Sequence, residues 1–118
     1  MEMKEALSAL TALGHATRLA IFRLLVEAGP DGRLAGDIAV ALSVPAATLS
    51  FHLKDLSNAG LISGEARSRY VCYRANFDAM NQLIEYLTRN CCAGSSHNQC
   101  VPAIGCVAIP ASRGNGAV

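Results

Sequence analysis

A mainly helical domain carrying one small β-hairpin, in the order α-α-α-α-β-β-α, is the fold this sequence predicts. Three observations point there. Four successive stretches before residue 60 carry apolar residues at helical spacing. A run rich in Tyr and Val follows, interrupted at Arg67-Ser68, and a further helical stretch runs from Phe77 to about Asn90. The 118 residues fit one domain with at most a tail beyond it. A hydrophobic share of 52% suffices for a core and leaves some for a subunit interface. Trp is absent and aromatics are few, so Leu, Ile, Val and Ala must fill that core.

From Lys4 to Leu13 the apolar positions Ala6, Leu7, Leu10 and Leu13 make a short amphipathic helix that stops near Gly14. His15 opens a second helix, to Ala28, that is apolar nearly all round and therefore expected to be covered on most sides. Gly29-Pro30-Asp31-Gly32 ends it with four turn residues. A third helix spans about Leu34 to Leu42, with Leu34, Ile38, Ala41 and Leu42 on one stripe. Ser43-Val44-Pro45 makes a tight turn, and Pro45 suits the first turn of the next helix because its missing N–H needs no partner there. That fourth helix extends to Ala59, with Leu49, Leu53 and Leu56 facing the core and Gly60 closing it. Strands follow at about Leu61–Ala66 and Arg69–Ala75 around a tip at Arg67-Ser68. Asn76 is placed to cap the fifth helix, whose face is Phe77, Met80, Leu83, Ile84 and Leu87. Past Cys92 the periodicity stops in a Gly- and Pro-bearing segment. The expected organisation is a domain at 1–90 and a cysteine-containing tail at 91–118.

The third and fourth helices with the hairpin behind them read as a winged helix-turn-helix, which implies double-stranded DNA as partner. With its leucines committed inward, the fourth helix turns Ala46, Ala47, Thr48, Ser50, Phe51, His52 and Lys54 outward. Small residues let such a helix sink into a major groove, where hydroxyls reach base edges or phosphates. The expected contacts are Ala47, Thr48 and Ser50 in the groove, and His52 and Lys54 on the backbone. Arg67 and Arg69 at the hairpin tip suit phosphate or the minor groove. For His52, stacking or capping within the domain is as good a reading. A net charge of +1 argues against indiscriminate coating of DNA but permits a specific reader. No nucleophile is paired with a base and no Gly-rich phosphate loop occurs, so no enzymatic activity is expected. The sequence shows no apolar run of membrane-spanning length and no basic-then-apolar leader, which predicts a cytoplasmic protein without a membrane partner.

Five cysteines, Cys72, Cys91, Cys92, Cys100 and Cys106, read as metal-binding or redox thiols in such a chain. Cys72 lies in a strand and reads as a small core residue. The other four crowd the C-terminal segment. Adjacent thiols close a tetrahedral zinc site poorly, because zinc motifs prefer two to four intervening residues. A vicinal pair plus one distant thiolate suits a pyramidal, thiophilic centre such as As(III) or Sb(III). Cys91 and Cys92 are the expected pair, with Cys100 as third ligand and Cys106 as its alternative. His97 reads as a loop histidine before a ligand, and His15 as a local cap.

LTALGHATRLAIFRLLVEAG, then LSVPAATLSFHLKDLSNAGLI and the hairpin RYVCYR, resemble the ArsR/SmtB family of bacterial metalloregulators over about residues 5–90. The resemblance implies a homodimer joined through its first and fifth helices, with each recognition helix on half of an inverted repeat. It also implies repression relieved by a bound metal or metalloid. The thiols that arsenite sensors of the family carry in the third helix are missing here, and so are the His and carboxylate pairs of its zinc sensors on the last helix. The Cys91-Cys92 ending is similar to that of a proteobacterial branch of the family. Ser68 departs from the pattern, standing where the family's wing usually has Gly. Two other readings stay open: a repressor whose thiols form a redox switch, and a metalloid carrier without DNA.

Overall fold

Glu2 starts the first helix of the computed structural model, which describes residues 1–91. Its backbone N–H donates to Glu5 Oε1 at 2.8 Å, and α1 runs Met3–Leu13. The inward stripe of α1 differs from the expected one. Ala6, Ala9 and Ala12 are buried, while Leu7 and Leu10 stay 56% and 41% exposed. Alanines three residues apart let the helix approach its neighbours closely, and this turns the larger leucines outward.

His15 caps α2 (Ala16–Ala28), as expected, by accepting the Thr17 N–H on Nδ1 at 3.2 Å. Ile21, Phe22 and Leu25 of α2 are buried at the centre of the domain. Gly29–Asp31 forms one 3-10 turn, and Gly32 follows with φ 70°. That glycine is required. A Cβ there would stand 2.3 Å from the Tyr73 carbonyl oxygen. The close approach lets Arg33–Leu34 pair as an edge strand, β1, with Tyr73 and Cys72. The hairpin is thus part of a three-stranded antiparallel sheet, an addition to the two expected strands. Two residues are too few to carry a period-2 pattern.

The third helix, α3, is Ala35–Leu42, with Leu34 at its N-cap. Ile38 is buried and Leu42 packs on the core, but Ala41 is exposed and Ala35 and Ala39 take its place. Ser43 closes the helix at φ 54°. Pro45 is the N-cap of α4 (Ala46–Asn58), one position before the first turn. Leu49, Leu53 and Leu56 are buried as their spacing requires. Gly60, at φ 78°, ends α4 with Gly60 N–H donating to Ser57 O and Leu61 N–H to Leu56 O, at 2.9 and 3.1 Å. Leu56 and Leu61, both buried, supply the apolar contact that accompanies this closure.

Strands β2 (Ile62–Arg67) and β3 (Tyr70–Ala75) pair from Ile62↔Ala75 to Arg67↔Tyr70. The tip is therefore Ser68-Arg69, one residue later than expected, with Ser68 at φ 58°. The wing does adopt the left-handed geometry for which Gly is favoured, and Ser occupies it. Cys72 is buried, as its strand position implied, with its Sγ 3.5 Å from Asp31 O. Asn76 caps α5 (Phe77–Thr88): its Oδ1 accepts the Ala79 N–H at 3.1 Å and its Nδ2 donates to Gly60 O at 3.0 Å. Leu83 is buried, Phe77 and Met80 are half-buried on the core, and Ile84 is exposed.

The chain divides into two compact units, Met1–Tyr86 and Leu87–Val118. Of the second, Leu87–Cys91 are described: the end of α5 and the turn after it. Among the described residues, no single helix is long and apolar enough to cross a membrane.

Candidate nucleic-acid interface

Burial of the α4 leucines decides which side chains the helix offers. Ala46, Ala47, Thr48, Ser50 and Lys54 are all exposed, so the small, hydroxylated N-terminal half and the lysine beyond it share an open surface. Phe51 is exposed at 73% on the same helix. It is not among the expected contacts, although it lies opposite the leucine stripe. An exposed ring between Ala47 and Lys54 suits the thymine methyl, an apolar feature of the major groove.

His52 sits differently. It is half-buried, and its ring lies against His15 with centroids 4.7 Å apart and planes tilted by 41°. Its Nδ1 is buried without a hydrogen-bond partner. Burial, then the charges of His15 and Arg18, hold the imidazole below its ordinary range, with Asp55 opposing. Beside it, Arg18 reaches from α2 to the end of α1. Its Nε donates to Ala12 O at 2.6 Å and its Nη1 meets Asp55 of α4 at 3.4 Å. Nothing local in the sequence marks this bridge, because its ends are 37 residues apart.

At the wing, Glu65 lies between two arginines, 2.9 Å from Arg74 and 3.5 Å from Arg67. The Arg74 hydrogen bond, and then the Arg67 charge, hold the Glu65 carboxyl below its ordinary value. Arg74 is anchored in turn, donating to Pro30 O at 2.8 Å. Arg67 therefore shares its charge with Glu65. Arg69 is exposed at the tip and makes no ion pair among the described residues. The structure thus places Ala47, Thr48, Ser50 and Lys54 on one helix surface and Arg67 and Arg69 on the wing.

Of the expected thiolate ligands only Cys91 is described; it is exposed, and its N–H donates to Thr88 O at 2.9 Å. Cys92, Cys100 and Cys106 lie outside the described residues, as does His97. Among the described residues no group of three or more His, Cys, Asp or Glu side chains is arranged to hold a metal ion.

Residues 13–65 match the family model of a helix-turn-helix domain. The fold is a winged helix-turn-helix. Among solved structures the chain is similar to an ArsR-like transcriptional regulator from Rhodococcus sp. RHA1, at 29% identity and a TM-score of 0.65 over 73% of this chain and 78% of that one. It is similar to HlyU from Vibrio cholerae at 25% identity and a TM-score of 0.60, covering 78% of this chain and 99% of that one. A homodimeric winged helix-turn-helix DNA-binding domain from Mycobacterium bovis shares the fold at 21% identity and a TM-score of 0.61, over 81% of this chain and 89% of that one. No curated protein matches the chain.

Proposed function

We propose that the protein is a homodimeric, DNA-binding transcriptional repressor of the ArsR type rather than an enzyme. The observation that carries this reading is the surface of α4. It leaves a small, hydroxylated and lysine-bearing face open next to a wing tipped by Arg69. Likeness to the Rhodococcus regulator supports it. The homodimer in the Mycobacterium bovis relative and the exposed Leu7, Leu10 and Ile84 of this chain support pairing through α1 and α5.

The inducer in this proposal is trivalent arsenic, with antimony as its chemical equivalent, held by thiolates of Cys91, Cys92 and Cys100, or Cys106 in place of Cys100. Its support is the chemistry of the donor set, a vicinal thiol pair with further thiols close behind in the chain. Cys91 lies three residues past the end of α5 at Thr88, so a ligand there would act close to the dimerisation helix and alter the spacing of the recognition helices. Linkage requires that arsenite weaken DNA binding by the factor with which DNA weakens arsenite binding, on the order of 5–150-fold.

The test is anisotropy titration of a duplex selected from a random-sequence pool, with and without arsenite. Release by arsenite should be lost in Cys91→Ser, in Cys92→Ser and in a chain ending at Asn90, all of which should still bind the duplex. Normal release from the truncated protein would overturn the thiolate site. Release by peroxide but not by arsenite would favour the redox switch.

A further inference from the structure

His52 stands on the recognition helix, yet its ring is turned against α2 and not toward the open surface. The partner ring, His15, is held in place by the α2 cap, its Nδ1 accepting the Thr17 N–H. The His52 Nδ1 is buried and unpartnered. As a bare lone pair it forgoes one hydrogen bond. With a proton it becomes a buried N–H lacking an acceptor on a charged ring, a much larger penalty.

The charged and titratable groups around the ring all act on that balance. From α2 come His15 and Arg18; from α4 comes Asp55, one turn further on. Asp55 is the single group favouring a cation, and it is already engaged by Arg18 at 3.4 Å. Arg18 is itself fixed on the Ala12 carbonyl. The contact between α2 and α4 is therefore built for an uncharged His52.

We propose that His52 is a positioning residue: its neutral ring, set at a tilt against His15, fixes the attitude of α4 against α2, and its protonation loosens the recognition helix and weakens DNA binding. The inference rests on the DNA-binding reading and deepens it. It also fixes a sign. A histidine that touched phosphate would bind DNA more tightly as a cation, so affinity would rise in acid. A histidine that positions the helix from behind makes affinity fall.

The experiment is the pH dependence of duplex binding by the full-length chain, from about pH 7.5 to about pH 5.5 at constant ionic strength, the range where histidine titrates. His52→Phe preserves a flat ring and removes the titration. The wild type should lose about three- to tenfold in affinity relative to His52→Phe across that range. The two proteins should agree within about threefold at the upper end, near the size of a tolerated core swap. A wild-type affinity that rises in acid relative to the variant overturns the proposal, and so do parallel profiles. Imidazole 15N NMR on the wild type keeps the question decidable if the variant does not fold. His52 should be neutral with a bare Nδ1 at neutral pH, and DNA release should track its protonation. Titration of His52 without change in affinity overturns the idea. If no duplex is enriched at all, the DNA-binding reading fails and this inference with it; enrichment with the wrong slope removes the inference alone.

Discussion

At the residue scale the wing separates two arginines that look equivalent in the sequence. Arg67 is 3.5 Å from Glu65, and part of its field is cancelled before any phosphate arrives. Arg69 has no such neighbour among the described residues. Arg69→Ala should weaken duplex binding about three- to tenfold at moderate salt and lower the slope of log affinity against log salt by about 1. Arg67→Ala should do less on both counts, and a salt titration of the two variants compares them directly. The His52 ring gives a second prediction, about stability. Burial, then His15 and Arg18, hold its folded pKa below the ordinary 6.5. The unfolded chain therefore binds a proton at a pH where the folded chain does not, and stability rises with pH through that window. This contribution is complete above the ordinary value and lost as pH falls below it. Urea unfolding at several pH values should show the wild type losing stability relative to His52→Phe on acidification; the opposite trend would refute the assignment.

At the scale of elements, what the sequence made legible depended on how local the deciding interaction was. The α4 stripe Leu49, Leu53 and Leu56, the Gly60 closure and the Asn76 cap all rest on contacts within a helical turn or at a helix end, where spacing alone is informative. The inward face of α1 was not legible. Ala6, Ala9 and Ala12 fill it only because neighbouring helices come close, and alanine carries no pattern of its own. The edge strand Arg33–Leu34 and the Arg18 bridge depend on partners some 40 residues on, which periodicity cannot supply. The exposed side of α4 was legible as the complement of its buried side, except for His52, whose placement required knowing where His15 lies. Two glycines test this account. Gly32→Ala combines a φ of 70° with a Cβ at 2.3 Å from Tyr73 O, so it should cost about 2–4 kcal/mol and unpair β1. Gly36 in α3 has no atom within 4 Å of its would-be Cβ, and Gly36→Ala should stabilise by about 0.5–1 kcal/mol. Thermal unfolding of both variants gives the two signs.

For the whole molecule the decisive quantity is the distribution of large apolar side chains between core and surface. The core of α1 is made of alanines, whereas Leu7 at 56% and Leu10 at 41% exposure contribute little to the monomer. On α5, Ile84 is likewise left at 52% while Leu83 is buried. A chain that spends small residues inward and leucines outward on α1, and leaves Ile84 of α5 exposed, gains by pairing those helices, since the apolar side chains then leave water. Folding and dimerisation should therefore be separable by mutation. Leu7→Ser with Leu10→Ser should keep the circular dichroism of a folded protein and shift sedimentation toward monomer. It should also reduce affinity for a two-half-site duplex by about a hundredfold or more, because the second half-site contact ceases to be intramolecular. Affinity for a single half-site should change little, since α4 and the wing are untouched. Loss of helical signal in the double variant would mean that the leucines belong to the fold itself. An unchanged dimer would mean that association runs through another surface.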